Sequence, residues 1–409
     1  MRNLLFVHHS NDLYGADIVL LETVKRLDRT QFHPIVILPE DSRHIGRLTP
    51  HLAAHGIEYH FLPLGVMRRK YLKPRTVARF VVEFASAVRK LRQLMREKSI
   101  DVVHTNTLAV CAGAVAAKRE KIPHIWHVHE ILVDPVLLRK LLHATVARFS
   151  TVTVCISKAV RDHYLTDQPS TAGKTVIIPN GIDLDKFSAA PDGINLREEY
   201  GIPADAPLVG MVGKVTRWKG QMVFARAAKE VLNAFPDTYF LAVGGVFDDE
   251  RYYMDNFVNE VIRLGIQNRF IIRDYRPDVV NVLRALDVFV LPSTLPEPFG
   301  LVVVEAMACE KAIVATAHGG PAEMIVDEES GLLVKPADPG ALADGVAKLL
   351  RDRDYLRSLG KAAKIRARDK YHVDRYIRDL EQLYVRVTPL RKADVTANSE
   401  LRAIPDEVQ

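Results

Sequence analysis

The residues best placed to do chemistry are two glutamates, Glu297 and Glu305, in the stretch DVFVLPSTLPEPFGLVVVEAMACE from Asp287 to Glu310. Val288 to Leu291 reads as a buried parallel strand, stopped at its carboxyl end by Pro292 and Ser293. Phe299 to Cys309 places apolar residues all round, so it reads as a buried helix whose first backbone N–H groups face the intervening loop. A strand, a loop and a helix N-terminus make an anion site, here at Phe299, Gly300, Leu301 and Val302. Glu297 precedes the helix and Glu305 lies about two turns inside it, roughly 10 Å apart along the axis, which is about the reach of a diphosphate. A ligand with hydroxyls at one end, a diphosphate in the middle and a ribose at the other would meet Glu297, the helix N–H groups and Glu305 in turn. A nucleotide sugar has that shape. The plainer reading makes Glu297 a favourable helix-start residue and Glu305 a solvated acid. Against it, Glu305 interrupts an apolar helix, and a buried acid needs a partner.

Three further groups sit where strands end. Leu208 to Val212 runs into GKVTRWKGQMVF, so Gly213 follows a strand, and Lys214 and Lys219 straddle the turn into a helix. Two fixed cations there suit a diphosphate leaving group, ordinary surface lysines being the alternative. HIWHVHE ends another strand, and alternation puts His127 and His129 on one face. A metal pair is rejected because a two-histidine site needs a further ligand and no cysteine is near, which leaves a loop histidine at the surface or one facing a ligand. Gly15, in HSNDLYGAD after the first strand, lets backbone N–H groups approach a phosphate or an acceptor. Asp183 and Asp185 form an Asp-x-Asp that is better read as turn capping than as a metal site.

These loops need a scaffold that presents strand ends together. Short apolar runs at Leu4 to His8, Pro34 to Leu38, Tyr59 to Leu62, Val102 to His104, His124 to His127 and Thr151 to Cys155 alternate with helical patterns such as Ala16 to Leu27 and Val77 to Arg96. Phe240 to Gly244 and Phe270 to Ile272 continue the alternation in the second half, and terminal helices follow at Leu342 to Leu350 and Tyr355 to Tyr371. Such a pattern predicts α/β doubly wound parallel sheets that bind ligands outside the carboxyl ends of their strands.

EPFGLVVVE, a glutamate on each side of seven residues, resembles the E-x7-E motif of the family-four retaining glycosyltransferases of GT-B fold, the glycosyl transferases of group 1. The resemblance covers nearly the whole chain. It implies two Rossmann-like doubly wound parallel-sheet domains facing across a cleft. It also implies that Glu297 contacts the donor sugar's hydroxyls, that Glu305 holds the ribose, and that His129 stands beside the donor's reacting carbon. Lys214 occupies a position that is commonly arginine in the family, which keeps the charge and loses the bidentate fork. The expected organisation is an acceptor-side domain over 1–185, a linker over 186–206, a nucleotide-sugar domain over 207–372, a helix over 373–388 that crosses back, and a disordered tail over 389–409.

With 409 residues and 48% hydrophobic content the chain can fill two cores. MRNLLFVHHS reads as a strand rather than a signal peptide, and no apolar stretch is long enough to span a bilayer. Cys111, Cys155 and Cys309 are far apart among apolar residues, which suits a reducing, cytoplasmic setting. The net charge of +6 is uneven: residues 1–185 carry +9 and the remainder −3. Met67 to Lys98 holds 11 basic residues against Glu83 and Glu97, interleaved with apolar ones. Two readings stand: a basic amphipathic segment lying on an anionic membrane, or a helix with its stripe in the core and a solvated basic face. Nucleic-acid binding lacks a reading motif.

The expectation is therefore a retaining glycosyltransferase that moves a hexose-type sugar from a nucleotide-diphosphate sugar to a hydroxyl acceptor, lipid-linked or soluble, in cell-surface polysaccharide or glycolipid synthesis. His129, Lys214, Lys219 and Glu297 are the catalytic candidates. Gly15, Gly213, Phe299, Gly300, Leu301, Val302 and Glu305 are the donor-binding ones. No metal or cofactor is expected, the nucleotide sugar being a co-substrate, and the enzyme would be cytoplasmic or peripheral on the cytoplasmic face of a membrane. A nucleotide-sugar epimerase or hydrolase on the same fold, and a non-catalytic nucleotide-sugar-binding protein, are the alternatives.

Overall fold

A computed structural model of the chain describes residues 1–67, 74–188, 195–246 and 250–388. Among the described residues the strands form a seven-stranded and a six-stranded sheet, parallel throughout. The first contains β1 (Arg2–Val7), β2 (Phe32–Pro39), β3 (Glu58–Leu62), β4 (Val102–Asn106), β5 (His124–Val128), β6 (Val152–Cys155) and β7 (Thr175–Ile177), in the order β3-β2-β1-β4-β5-β6-β7. The second contains β8 (Leu208–Val212), β9 (Tyr239–Val243), β10 (Phe270–Arg273), β11 (Val288–Leu291), β12 (Ala312–Thr316) and β13 (Leu332–Val334), in the order β10-β9-β8-β11-β12-β13. Sheets covered on both faces need continuous apolar strands, and LLFV, IVIL and VFVL are buried along their length.

Each sheet reverses its winding direction once, between β1 and β4 and between β8 and β11. Ligand crevices of doubly wound sheets open at such points. Those crevices receive His8 and Thr107 from the first domain and Gly213 and Pro292 from the second, each just past a strand end. The predicted strands all appear, with ends within two residues of those expected. β7 and β13 were not separable in the sequence from turn-rich runs, being only three residues long each.

The helix Val373–Val387 lies on the first domain, although it follows the second in sequence. Val373, Tyr376, Ile377, Leu380, Leu383 and Tyr384 recur at helical spacing and join the core of Leu4, Phe6, Val19 and Leu20. Burying them is worth on the order of 10 kcal/mol in gross transfer free energy. Tyr376 and Tyr384 also meet Thr23 Oγ1 and His104 Nδ1 at 2.9 and 2.8 Å. Where the chain returns, Ile182 N–H donates to the Tyr371 carbonyl and Val373 N–H to the Ile182 carbonyl, each at 3.0 Å. The outgoing and returning passes are therefore bonded to each other.

The basic segment forms the helix Pro74–Glu97, with Ala87, Val88, Leu91 and Met95 in the core and Arg89, Lys90 and Arg96 outward. Arg68, Arg69 and Lys70, part of the linker (189–194) and the tail expected over 389–409 lie outside the described residues. Among the described residues no helix is long and apolar enough to cross a membrane. Cys111 and Cys155 are buried, Cys309 is half-buried, and all three are free thiols.

Candidate active site

The geometry of the second domain brings Glu297 and Lys219 together. Lys219 Nζ donates to Glu297 Oε1 and Oε2 at 2.7 and 2.8 Å, and Ser293 Oγ donates to Oε2 at 3.1 Å. The turn after β8 can deliver Lys219 only because residue 220 is glycine. At its φ of +81°, a Cβ would stand 1.9 Å from the Pro292 carbonyl oxygen. From the other side Gly319, at φ +66°, lets HGGPAEMI pack against Glu297, whose carbonyl accepts from Gly320 N–H at 2.7 Å. A Cβ on Gly319 would lie 2.3 Å from that carbonyl oxygen. The resemblance implies a sugar contact for Glu297, and the strand-end position suggests the diphosphate for Lys219; the structure pairs the two charges.

The following helix spans Leu301–Ala308, with Gly300 at its N-cap at φ +96°. It starts two residues later than expected because Phe299 turns into the core, edge-on to Tyr371 at 5.8 Å. Phe299 can therefore offer a ligand only its backbone. Val303, Val304, Ala306, Met307 and Ala308 are buried, whereas Leu301, Val302 and Glu305 share a half-buried stripe. Leu301 marks where that stripe points, since its Cδ1 lies 3.4 Å from the position of a Cβ on Gly15 in the first domain. Glu305, one turn further on, makes no hydrogen bond or ion pair among the described residues, and burial pushes its carboxyl up to about 7.

Lys214 takes a different partner from Lys219. Its Nζ stands 3.4 Å from the centroid of the Tyr14 ring, a cation–π contact from one domain to the other. Burial pulls its ammonium down to about 8, against the opposing pull of Asp12, Glu250 and Asp17. Gly213, just before it, continues the ladder by donating to the Val243 carbonyl at 2.9 Å.

On the first-domain side, Tyr14 and Gly15 are fixed by Asp17. Its carboxylate accepts from Tyr14 N–H at 3.0 Å, meets His8 Nε2 at 2.8 Å and takes the Ser10 hydroxyl. Burial alone would raise Asp17, but the hydrogen bonds from His8 and Ser10 outweigh it and hold the carboxyl down at about 2. His127 and His129 do share a face, their ring centroids 4.3 Å apart. Among the described residues no group of three or more His, Cys, Asp and Glu could hold a metal ion. His129 Nε2 is buried without a hydrogen-bond partner, and burial, with His8 and His104 nearby, lowers the ring to about 3. A neutral ring can hydrogen-bond a ligand but cannot offset a charge. Asp183 is taken up by an ion pair with Arg26 at 2.5 Å rather than by a turn, and Asp185 begins a short helix.

The structure thus gathers Gly15, Lys214 and Leu301 at one point of the cleft, and Lys219 and Glu297 at another. Tyr14, Asp17 and Ser293 escaped the sequence reading. For Asp17 a signal existed, an acid three residues after the cap position of a helix; for Tyr14 none did, because its partner lies 200 residues away.

Comparison with known proteins agrees with this architecture. Residues 193–366 match the family model for glycosyl transferases group 1, and residues 14–186 match that for glycosyltransferase family 4. The Escherichia coli UDP-Gal:alpha-D-GlcNAc-diphosphoundecaprenol alpha-1,3-galactosyltransferase is 26% identical over 306 residues, 72% of this chain and 78% of that protein. A D-inositol 3-phosphate glycosyltransferase of Corynebacterium jeikeium is 33% identical over 219 residues, 52% of each chain. Among solved structures, Anabaena Alr3699/HepE in complex with UDP superposes with a TM-score of 0.79 at 25% identity, over 94% of this chain and 99% of that one. With two family models side by side along the chain and a GT-B fold across its two sheets, this protein belongs to the family-four glycosyltransferases of group 1 and is itself a glycosyltransferase.

Proposed function

We propose that the protein transfers a hexose-type sugar from a nucleoside-diphosphate donor to the hydroxyl of a lipid-linked acceptor, with retention at the anomeric carbon and without a metal. The observation that carries this reading is Glu305. A half-buried carboxyl with no partner, one turn inside a helix whose first N–H groups are open to an anion, is stable once a ligand hydroxyl reaches it. A ribose on the outer side of a diphosphate supplies that hydroxyl, and the diphosphate takes the helix start at Phe299, Gly300, Leu301 and Val302. The donor sugar then lies toward Glu297, His129 and the first domain.

The leaving diphosphate gains charge as the anomeric bond breaks. Lys219, already desolvated beside Glu297, turns from the carboxylate to the phosphate. Glu297 is thereby released to the sugar hydroxyls, so one exchange of partners prepares both ends of the donor. Lys214 and the N–H groups of the helix complete the compensation with no ion needed. His129, neutral, donates or accepts a hydrogen bond at the sugar. No side chain here is an evident nucleophile, so the acceptor oxygen attacks from the face the diphosphate leaves, through an oxocarbenium-like state, and its proton passes to the departing diphosphate oxygen. That the galactosyltransferase relative acts on a diphosphoundecaprenol-linked sugar supports a lipid-linked acceptor and a role in cell-surface polysaccharide or glycolipid synthesis. The UDP held by Anabaena Alr3699/HepE supports a uridine donor as the first to try.

The test is to incubate the protein with UDP-hexoses and prenyl-diphosphate-linked sugars in the presence of a chelator, and to read the product's anomeric configuration by proton NMR. Transfer with the donor's configuration kept is expected. Donor turnover without an acceptor would favour the epimerase or hydrolase reading, and loss of activity in chelator would overturn the metal-free mechanism.

A further inference from the structure

Lys219 and Lys214 are held in different ways. Lys219 is gripped by the Glu297 carboxylate, and its Nζ also lies 4.4 Å from the centroid of the Trp218 ring. Lys214 Nζ stands 3.4 Å from the centroid of the Tyr14 ring, which the first domain supplies. The difference matters for a cation that must meet a diphosphate. A carboxylate steadies an ammonium but cancels its charge and repels the phosphate. The negative face of an aromatic ring steadies it and leaves its net charge whole. An ammonium also has three N–H groups, so the side turned to a ring does not occupy them all. Lysine lacks the planar fork with which arginine fixes its own direction on a phosphate, so Lys214 takes its aim from a neighbour.

Tyr14 is placed to give that aim. It is the N-cap residue of the helix Gly15–Arg26, with extended backbone at φ −98° and ψ −177°, and its N–H donates to Asp17 at 3.0 Å. Asp17 is fixed in turn by His8 and Ser10. Gly15, the next residue, comes against Leu301 at the start of the helix that would receive the diphosphate. This turn therefore meets the donor side of the cleft twice, with a ring at Lys214 and a glycine at Leu301. Tyr14 is 37% exposed, so its ring is not there to fill a core. Asp12, Asp17 and Arg47 of the first domain and Glu250 of the second are the charged groups near the Lys214 ammonium. A change at Tyr14 alone removes the ring and leaves all of them in the chain.

We infer that Tyr14 is a positioning residue for the leaving group: its ring aims the Lys214 ammonium at the diphosphate, so that the first domain sets a charge which the second domain uses. The inference rests on the assignment of Lys214 to the diphosphate. The leaving oxygen gains charge as the anomeric bond breaks, so a cation held in place beforehand stabilises the transition state more than the bound donor. Loss of the ring should therefore appear in kcat rather than in the donor KM.

A double-mutant cycle in the full-length protein, with a UDP-hexose donor and saturating acceptor, tests the pair. Tyr14→Leu is expected to lower kcat roughly 2- to 30-fold, the span of a cation–π contact from exposed to desolvated settings, with donor KM and circular dichroism nearly unchanged. Tyr14→Phe keeps the ring and should restore most of the rate. In a Lys214→Met background, Tyr14→Leu should cost little further, because the ring has lost its cation. If Lys214→Met lowers kcat and Tyr14→Leu multiplies that loss in full, the lysine serves the diphosphate without the ring's help, and the inference alone is overturned. If Lys214→Met leaves kcat unchanged, the assignment of Lys214 fails and the inference falls with it. A faster Tyr14→Leu enzyme would mean that the ring restrains Lys214, and would equally overturn the proposal.

Discussion

The carboxylate of Glu323, in the second domain, accepts from the backbone N–H groups of Lys158 and Ala159 in the first, at 2.8 and 2.7 Å. Those N–H groups open the helix Lys158–Asp167, whose own cap, Ser157, serves Val160 N–H and donates its hydroxyl to the Pro298 carbonyl at 2.6 Å. One domain therefore completes the helix cap of the other, and the contact ties the two domains together. A cap of this kind is worth about 0.5–2 kcal/mol. Glu323→Ala should shift the balance of closed and open forms by roughly 2- to 30-fold. Small-angle scattering of the ligand-free protein is expected to show a larger radius of gyration, with the donor's apparent affinity reduced. Superimposable scattering curves would mean that other contacts set the closure.

Glu305→Ala should raise the donor KM and leave kcat nearly intact, because a ribose contact is made alike in the ground and transition states. Steady-state kinetics with saturating acceptor measure it. Unchanged donor affinity would remove Glu305 from the site.

The same residue makes a pH prediction. The Glu305 carboxyl titrates near 7 when folded against an ordinary value of 4.5, so between these values the folded protein keeps a proton that the unfolded chain releases. Stability from this group is thus present below about 4.5 and lost as pH rises to 7, at up to about 1.4 kcal/mol per pH unit. Glu305→Gln bears no such charge. Its melting temperature, relative to that of the wild type, should climb from pH 4.5 to 7.5, and a difference that stays flat would show that the carboxyl is not desolvated. Donor binding should supply the missing partner and flatten the wild-type profile.

Lys219→Ala should lower kcat by roughly 10²-fold or more, the scale of losing one preorganised charge stabiliser. It should also destabilise the free protein by about 3–5 kcal/mol, since Glu297 keeps its burial and loses its cation. Lys219→Ala/Glu297→Ala should recover much of that stability and none of the activity. If the double variant melts no higher than the single one, the pair contributes little to the ligand-free state.

Most of the scaffold was legible because its strands are uninterrupted apolar runs between glycine- and proline-marked turns. The spacing of Glu297 and Glu305 was legible for a related reason, since a short loop and one helix set it, whereas the roles given to them came from the family resemblance. What could not be read were relations between residues far apart in sequence. The Lys219 and Glu297 pair spans 78 positions, and Lys214 meets Tyr14 across the cleft.

The bonded passes at Ile182 and Tyr371 and the returning helix Val373–Val387 also constrain how such enzymes can be recombined. A hybrid that joins the first half of one relative to the second half of another at the linker would carry the wrong returning helix. Tyr376 and Tyr384 would then have to find Thr23 and His104 in a foreign core. The first structural unit of this protein is therefore discontinuous, its sheet completed by the returning helix Val373–Val387, and the second unit is the insert between them. Exchange of one unit between relatives calls for two crossovers rather than one.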